Sequence, residues 1–429
     1  MARPKCARDR LVRVAALTAA LSAVTLALGG CMGGFGGTGA NRRGAASQVE
    51  LSPPADVPLG SGPTTPGVPA APVTPAAVSG QRIGSGTVKV ALILPLTGPG
   101  AAVGGAMRNA AQLAFDEGQQ PNLTILVEDD RSSPDGARDA TQDALKQGAD
   151  IVLGPVFAAS VQAATVPAKA AGKPVIGFST DASVAAPGVY LLSFLPQPEV
   201  DRIVEDSVGS GRRSFAALIP ETAYGNAVEA EFREAVARRG ARVAAVERYA
   251  SGAPGPAVER LARVITGPGA TADTLFIPET AEGMPLVASA LTKVGYAPAR
   301  VRPIGTALWN DPSLFALPML QGGRFASPDR SGFSNFSGRY QARFGAGPPR
   351  VASLAYDAVM LAAALTRQYG SQRFAETTLT NASGFAGIDG TFRFRPEGLS
   401  ERALAVYEIR NNAAPLVSPA PRVLAKPGI

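Results

Sequence analysis

One apolar stretch decides the fold of this chain: Val88-Lys-Val-Ala-Leu-Ile-Leu94, closed by Pro95. Its nearly continuous apolar character is typical of a strand buried on both faces, as in a parallel sheet. Apolar residues then recur at helical spacing, at Val103, Met107, Ala110, Ala111 and Ala114. A buried strand followed directly by a helix predicts the beginning of an α/β layer.

The same alternation continues and predicts two α/β units with right-handed, doubly wound sheets. Further strands of the first unit are predicted over 123–127, 151–153 and 175–178, with a helix over 160–171. Another helix is predicted to begin at Pro134, with Ser133 as its N-cap and Gly148 as its stop. The second unit is predicted to have strands over 215–219, 242–246, 274–277 and 302–306, and helices over 223–239, 257–264 and 281–294.

The amino terminus has the pattern of an export signal. Five basic residues precede or border an apolar run from Val14 to Leu28, which has the length of a signal-peptide core and is too short to span a bilayer. Leu28-Gly-Gly-Cys31 resembles the lipobox of bacterial lipoproteins, which implies that residues 1–30 are removed and Cys31 is acylated. Met32 after the cysteine implies, by similarity to enterobacterial sorting, the periplasmic face of the outer membrane. The alternative is an ordinary cleaved signal in which Cys31 has no role.

Composition excludes several classes of function. The chain has no histidine and only two cysteines, Cys6 in the leader and Cys31 at the lipobox. Ser-His-Asp hydrolysis, thiol catalysis and histidine-ligated zinc are therefore excluded, and we predict no catalytic residue, no metal and no cofactor. The formal charge of +7 includes +4 from the leader, so about +3 remains for the exported chain and gives no case for nucleic-acid binding. Residues 31–87 are rich in Gly, Pro and Ala and predict a disordered linker.

Several segments together resemble the type I periplasmic binding proteins of the leucine/isoleucine/valine kind. They are Val90–Pro99, Gly154-Pro155 followed by Ser160, and Gly172–Asp181. Other segments resemble, within that superfamily, the lipoproteins called penicillin-binding protein activators: Leu153–Phe157, Gly305–Pro312, Gln321–Gly323, Ala352–Ala358 and Thr380–Phe394. The resemblance implies two lobes joined by three crossing strands. We expect lobe 1 at 88–195 plus 330–372, lobe 2 at 196–329 plus 373–412, and a tail at 413–429.

A ligand in such a fold is expected beyond the carboxyl ends of the strands, near helix N-termini. The ligand-binding candidates in the first lobe are Thr97, Phe157, Ser160, Ser179, Thr180 and Asp181. Those in the second lobe are Tyr224, Glu279, Trp309 and Asp311. Each has a structural alternative, because Ser160 and Ser179 could cap helices and Trp309 could be a core aromatic residue.

Two differences from the amino-acid receptors of the superfamily weaken the hypothesis that the ligand is an amino acid. The resemblance implies a Ser-rich loop for the ligand carboxylate, where this chain has Val156-Phe-Ala-Ala159. It also implies an acidic residue on the first crossing for the ammonium, where the chain reads Phe194-Leu-Pro-Gln-Pro198. A buried ammonium without a carboxylate is costly, although Glu279 or Asp311 could substitute.

One further motif resembles a dinucleotide-binding site, but a structural interpretation of it is favoured. Gly98-Pro-Gly100 with Gly104 resembles a dinucleotide-binding fingerprint, and Asp129-Asp130 could supply its ribose-binding acid. The glycine spacing is one residue too long and Pro99 occupies the turn, so a glycine turn and an acidic loop are favoured.

Three functions from different classes are considered from the sequence. One, an exported enzyme, would have to act through carboxylates, Lys, Tyr or a cofactor, and it is disfavoured because the usual catalytic side chains are missing. The favoured one is a non-enzymatic, lipid-anchored regulator of peptidoglycan synthesis that contacts a peptidoglycan synthase. The alternative is the substrate-binding component of an ABC importer, which passes an amino acid or another small solute to a permease.

The anchoring hypothesis gives a direct prediction. Cys31→Ser should release the protein from the membrane fraction, because the linker offers no other hydrophobic attachment and the acyl chains supply about 0.8 kcal/mol per buried methylene. Fractionation after a salt wash measures this. A variant that still sediments with outer membranes would contradict the lipoprotein assignment.

Overall fold

The computed structural model describes residues 80–119 and 121–424. The predicted leader, Cys31 and most of the predicted linker lie outside the described residues. Among the residues that are described, no helix is long and apolar enough to cross a membrane.

The first sheet has six strands: β1 (Gln81–Ile83), β2 (Val88–Leu94), β3 (Leu123–Asp129), β4 (Ile151–Leu153), β5 (Val175–Gly177) and β6 (Val189–Leu191). Their order in the sheet is β1-β3-β2-β4-β5-β6. The pairs from β3 to β6 are all parallel, and only β1 runs antiparallel to its neighbour. All of β2 except Lys89 is buried, as its apolar sequence predicts.

The second sheet has seven strands: β7 (Ser214–Pro220), β8 (Arg242–Tyr249), β9 (Thr274–Phe276), β10 (Arg302–Gly305), β11 (Arg324–Ser327), β14 (Ala405–Glu408) and β15 (Leu416–Ser418). Their order is β15-β14-β11-β10-β9-β7-β8. Strands β7 to β11 are parallel, whereas β14 and β15 are antiparallel additions. The intervening β12 (Phe392–Phe394) and β13 (Ser400–Arg402) form a separate antiparallel pair. The chain thus has the predicted α/β class with two mainly parallel sheets.

The α-helices of the described residues follow the strands in the predicted alternation. They are α1 (Ala101–Gly118), α2 (Pro134–Lys146), α3 (Ala158–Ala170), α4 (Pro196–Gly209), α5 (Ala223–Arg238), α6 (Gly255–Ile265), α7 (Met284–Lys293), α8 (Arg330–Phe344), α9 (Ala352–Tyr369) and α10 (Glu376–Leu379). The predicted cap of α2 is confirmed, because the Ser133 hydroxyl accepts a hydrogen bond from the Gly136 amide at 3.1 Å. Gly148, just after α2, has a φ of +90°, which favours glycine.

Regular structure extends beyond two of the predicted boundaries at the ends of the folded part. Strand β1 lies inside the predicted linker, where Gln81 pairs with Val127 and Ile83 is buried. Strand β15 lies inside the predicted tail, where Leu416 pairs with Tyr407. Each strand has three residues and adds to an edge that already exists. Such a short segment has too few residues to show an alternating pattern.

The third crossing between the sheets comes later than expected. Residues 373–412 were assigned to lobe 2, but Leu379, Phe385, Phe392 and Phe394 are buried in the core of the first sheet. The Phe394 ring lies 5.3 Å from the ring of Tyr190 in β6, measured between centroids. These aromatic side chains hold the β12–β13 pair against lobe 1, so the chain passes to lobe 2 only between β13 and β14.

A buried acid lies just after the first crossing. Glu199, in the first turn of α4, is 8% exposed, and its carboxyl oxygen accepts a hydrogen bond from the Ala307 amide at 2.9 Å. Burial raises the pKa of Glu199 to about 8, although the Ala307 hydrogen bond and the charge of Arg350 act in the opposite direction. The folded protein therefore holds this carboxyl protonated near neutral pH.

This burial predicts a pH dependence of stability. The pKa of Glu199 is higher in the folded than in the unfolded chain, so its contribution is full at acidic pH. That contribution is lost as pH rises from about 4.5 towards about 8, by up to about 1.4 kcal/mol per pH unit. Glu199→Gln keeps an acceptor for Ala307 and should remove this loss, so the variant should be more stable than the parent at pH 8 and similar at pH 5. Urea unfolding across that range measures the difference.

The matched control is Glu205→Gln, on the exposed face of the same helix. It should leave the slope of stability against pH unchanged. An equal slope in the parent and in Glu199→Gln would show that Glu199 does not carry the effect.

Candidate functional site

The predicted site residues lie beyond the carboxyl ends of parallel strands, in one group for each sheet. Those of the first lobe follow β2, β4 and β5, which are adjacent in the first sheet. Those of the second lobe follow β7, β9 and β10, which are adjacent in the second sheet. Because the carboxyl ends of parallel strands meet at one edge, each group gathers at the edge of its own sheet.

Thr97 is exposed after β2, but its polar groups are engaged by Asp129 at the end of β3. The Thr97 amide and hydroxyl donate to the Asp129 carboxylate at 3.1 and 2.6 Å. The amides of Leu96 and Arg131 donate to the same carboxylate, at 2.9 and 2.8 Å. These hydrogen bonds outweigh the desolvation of Asp129 and hold the pKa of its carboxyl below the usual value. Asp129 thus fixes this loop and is not free to bind a ribose, so the glycine-turn interpretation of Gly98–Gly100 fits the structure.

Phe157 and Ser160 differ although they are three residues apart. Phe157 precedes α3 and is 42% exposed, which makes it one of the few large apolar side chains on the described surface. Ser160 is 1% exposed, in the first turn of α3. The loop after β4 therefore presents an aromatic ring at the position where the amino-acid receptors are expected to present serine hydroxyls.

Ser179, Thr180 and Asp181 form a small turn after β5. The buried Ser179 hydroxyl accepts from the Asp181 amide at 3.1 Å. The Asp181 carboxylate accepts from the Ser183 amide at 2.9 Å, and hydrogen bonds from Ser183 lower the pKa of that carboxyl. Thr180 is exposed. Asp181 caps its own turn, which is the structural alternative for such a residue.

Tyr224 begins the first turn of α5 and is hydrogen-bonded to Thr306 at the end of β10, with 2.7 Å between the hydroxyl oxygens. Burial, with a smaller contribution from the charge of Glu199, raises the pKa of the Tyr224 hydroxyl above its ordinary value. The Tyr224 hydroxyl is neutral at physiological pH, and its one hydrogen bond with Thr306 leaves it a further donor or acceptor position for a ligand.

Glu279 follows β9 and is bound within its own lobe. Its carboxylate accepts a short hydrogen bond from the Tyr249 hydroxyl and another from the Thr280 amide at 2.7 Å. Burial and the adjacent Glu279 carboxylate raise the pKa of Tyr249. The substitute role expected for Glu279, as partner of a ligand ammonium, competes with these bonds.

Trp309 is a core residue, which was the structural alternative for it. Its side chain is 0% exposed, and the indole N–H donates to the Ile277 carbonyl at 2.9 Å. A Cβ on Gly305 would lie 2.2 Å from the indole ring, so only glycine there allows Trp309 to pack. Asp311, two residues on, caps a short turn by accepting from the Ser313 amide and hydroxyl at 2.9 and 2.7 Å.

The electrostatics of the two sheet edges follow from these contacts. The carboxylates of Asp181, Glu279 and Asp311 each accept hydrogen bonds from their own loop or lobe, and Glu199 is held protonated near neutral pH. Both oxygens of Glu279 accept hydrogen bonds, so an ammonium would compete with them, whereas the hydrogen bonds that Asp181 and Asp311 accept from the described residues end on Oδ1 only. Phe157 and Thr180 are also exposed, and their ring and hydroxyl suit an apolar or hydrogen-bonding ligand.

A charged cluster at the crossings was not predicted from the sequence. Arg402, in β13, is 8% exposed and lies over the rings of Phe194 and Phe392, at 5.5 and 5.4 Å from their centroids. Asp389 accepts from the Ser353 hydroxyl at 2.6 Å and forms an ion pair with Arg350. Burial raises the pKa of Asp357, also in this cluster, to about 7.

The burial of Glu199 could have been predicted from the sequence. Glu199 lies on the apolar face of α4 with Val200, Ile203 and Val204, where an acid is out of place. Arg402 had no comparable signal, because the hairpin that carries it shows no clear period. Across the described residues no group of three or more Asp, Glu, Cys or His side chains could hold a metal ion.

Comparison with known proteins places this geometry in a family. The family model described as periplasmic binding protein matches residues 87–414, more than three quarters of the chain. A sequence search of curated proteins found no match.

Solved structures share the fold at low sequence identity. A putative branched-chain amino acid ABC transporter protein from Rhodospirillum rubrum is 21% identical, with a TM-score of 0.68 over 77% of this chain and 100% of that one. A leucine-binding protein from Thermotoga maritima is 19% identical, with a TM-score of 0.52 over 78% and 98% of the two chains. A solute-binding protein of an ABC transporter from Rhodopseudomonas palustris, solved with 3,4-dihydroxybenzoic acid, is 20% identical, with a TM-score of 0.56 over 79% and 98%. With the family model spanning both sheets, this chain belongs to the periplasmic binding protein family.

Proposed function

We propose that this protein is a periplasmic solute receptor that passes a small molecule to an ABC importer. The observation that carries the proposal is the pair of sheet edges, one in each lobe, at which loops from three adjacent parallel strands converge. Family membership and the ABC-transporter proteins among the solved neighbours support it. The absence of histidine from the whole sequence agrees with a binding rather than a catalytic role.

The ligand we propose is not a free amino acid. An ammonium that leaves water needs a dedicated ionised carboxylate. Asp181 and Asp311 cap their own short turns, and both oxygens of Glu279 already accept hydrogen bonds. Glu199, the nearest acid after the first crossing, is held protonated near neutral pH by burial. The exposed Phe157 ring instead offers an aromatic surface for stacking. We therefore propose a ligand with an apolar or aromatic body and no ammonium group.

The second candidate is the function favoured by the sequence alone, a lipid-anchored activator of a penicillin-binding protein. The observation in its favour is that side chains at the sheet edges bond one another, as in the Tyr224–Thr306 and Glu279–Tyr249 pairs. Edges satisfied in this way suit a domain that no longer binds a solute. The anchor at Cys31 and the outer-membrane location belong to this candidate and are proposals.

Ligand binding tests the receptor proposal through thermal stability. A ligand at a hundred times its dissociation constant adds about 2.7 kcal/mol to the free energy of unfolding, which raises the melting temperature by several degrees. We expect benzoate or a related aromatic acid to give such a shift, and leucine and valine to give none. A clear shift with leucine that Tyr224→Phe abolishes would contradict the proposed ligand class.

Two variants show whether a shift arises at the proposed edge. Phe157→Ala should abolish it while changing the stability of the free protein little, since the ring is 42% exposed. Val166→Ala is the control, because Val166 is 67% exposed in the second half of α3, the helix that Phe157 precedes. If no solute in a broad panel of small molecules shifts the melting temperature, the receptor proposal is contradicted.

Partner capture separates the two candidate functions. After cross-linking in cells, we expect the receptor to be recovered with a membrane permease, because delivery requires that contact. Mass spectrometry of the cross-linked complexes measures this. Recovery of a peptidoglycan synthase, retained in Phe157→Ala, would favour the activator.

A further inference from the structure

The strands of the second sheet begin at an edge that is rich in arginine. Arg212 and Arg213 precede β7, Arg242 opens β8, and Arg300 and Arg302 lie at the start of β10. We name these five residues the arginine edge. The strand register brings them together, since Ser214 pairs with Arg242 and Thr274 pairs with both Phe215 and Arg302.

The arginine edge is not neutralised by ion pairs. Four of its guanidinium groups donate to backbone carbonyls: those of Asp273, Val208, Thr271 and Pro268, at 3.1, 2.6, 2.8 and 3.1 Å. Arg302 donates to the Ser210 hydroxyl at 3.4 Å. In the described part of the chain, none of the five forms a salt bridge with a carboxylate.

The acids near this edge are engaged elsewhere. The Asp273 carboxylate accepts from the amides of Arg213 and Ser214, at 2.8 and 3.2 Å. Asp206 and Glu408 both pair with Arg324, at 3.0 and 2.9 Å. Burial and the charges of Arg324 and Arg212 lower the pKa of Arg302, although the charges of Glu408 and Asp206 act in the opposite direction.

Other arginines of the same lobe do form ion pairs. On α5, Arg233 and Arg238 pair with Glu229 and Glu231, at 2.8 and 2.7 Å. On α6, Arg260 pairs with Glu247 at 2.6 Å. The arginine edge, by contrast, groups five arginines for which the described part of the chain shows no carboxylate partner, and it leaves a net positive surface.

We propose that the arginine edge docks on the surface of an anionic phospholipid bilayer. Guanidinium groups bind phosphate oxygens well and need no deep pocket to do so. A protein partner would be expected to meet an apolar centre. The exposed large apolar side chains of the described residues are Phe157, Val166, Leu286, Leu416 and Val423, and none belongs to the segments that carry the five arginines.

This docking leaves the proposed ligand site accessible. The arginine edge lies at the amino ends of β7, β8 and β10, whereas Tyr224 and Glu279 follow the carboxyl ends of β7 and β9. In parallel strands these ends are at opposite edges of the sheet, so docking of the arginine edge covers neither Tyr224 nor Glu279. The proposal does not depend on the anchor at Cys31.

Vesicle co-sedimentation tests the docking with the full chain carrying Cys31→Ser, so that no acyl chain contributes. The probes are vesicles of phosphatidylcholine alone and vesicles with about one-third phosphatidylglycerol. We expect binding only to the anionic vesicles at low salt, and its loss at about 1 M salt, where the Debye length is about 3 Å. Arg213→Gln, Arg242→Gln and Arg300→Gln together should weaken binding about a hundredfold, since each arginine near an anionic leaflet contributes about 1 kcal/mol.

The control removes three positive charges from lobe 1, by Arg131→Gln, Arg138→Gln and Lys146→Gln, all of which are exposed. It should bind anionic vesicles as the parent does, and matching melting curves show that both triple variants fold. Equal binding to the two vesicle types, or equal loss in both triple variants, would overturn the proposal. Binding to immobilised polyglutamate without binding to anionic vesicles would overturn it too, and would indicate an acidic protein surface as the partner.

Discussion

The chain crosses between its two sheets three times, and these crossings force charged side chains out of water. Glu199 follows the first crossing and Arg402 precedes the third, and each is 8% exposed. A buried charge is tolerated only with compensation, which takes three forms here. Glu199 is protonated near neutral pH, Arg402 lies on the rings of Phe194 and Phe392, and Asp389 pairs with Arg350. The fit of the two lobes depends on this compensation.

The alternation of strands and helices could be predicted because each element spans at least one period of its pattern. The strand Val88–Leu94 and the Ser133 cap of α2 are where the sequence indicates. Strands β1 and β15 could not be predicted, because each has only three residues and shows no alternating pattern. Each forms through hydrogen bonds to a neighbouring strand that is already part of a sheet. The β12–β13 hairpin was assigned to the wrong lobe because its aromatic residues are paired by contacts that are distant in sequence.

For the candidate site, the positions of the residues along the strands could be predicted more fully than their contacts. Parallel topology determines that the chosen residues follow strand ends, and the structure has them there. Which of them are exposed depends on local packing that one sequence does not reveal. Gly305 leaves room for the indole of Trp309, so a residue expected near a ligand became part of the core. Asp129, considered for a ribose, instead fixes the loop after β2.

The edge strand β1 determines how a pulling force would reach the first sheet. Any pull exerted through the residues before Gly80 is applied first to this three-residue strand. It is held by its pairing with β3 and by the Gly80 amide bond to the Val127 carbonyl, at 3.1 Å. Detaching it exposes Ile83 but leaves β2 to β6 paired through their own parallel ladder. We therefore expect β1 to detach from β3 under load before the force disturbs strands β2 to β6, which position the first-lobe candidate residues.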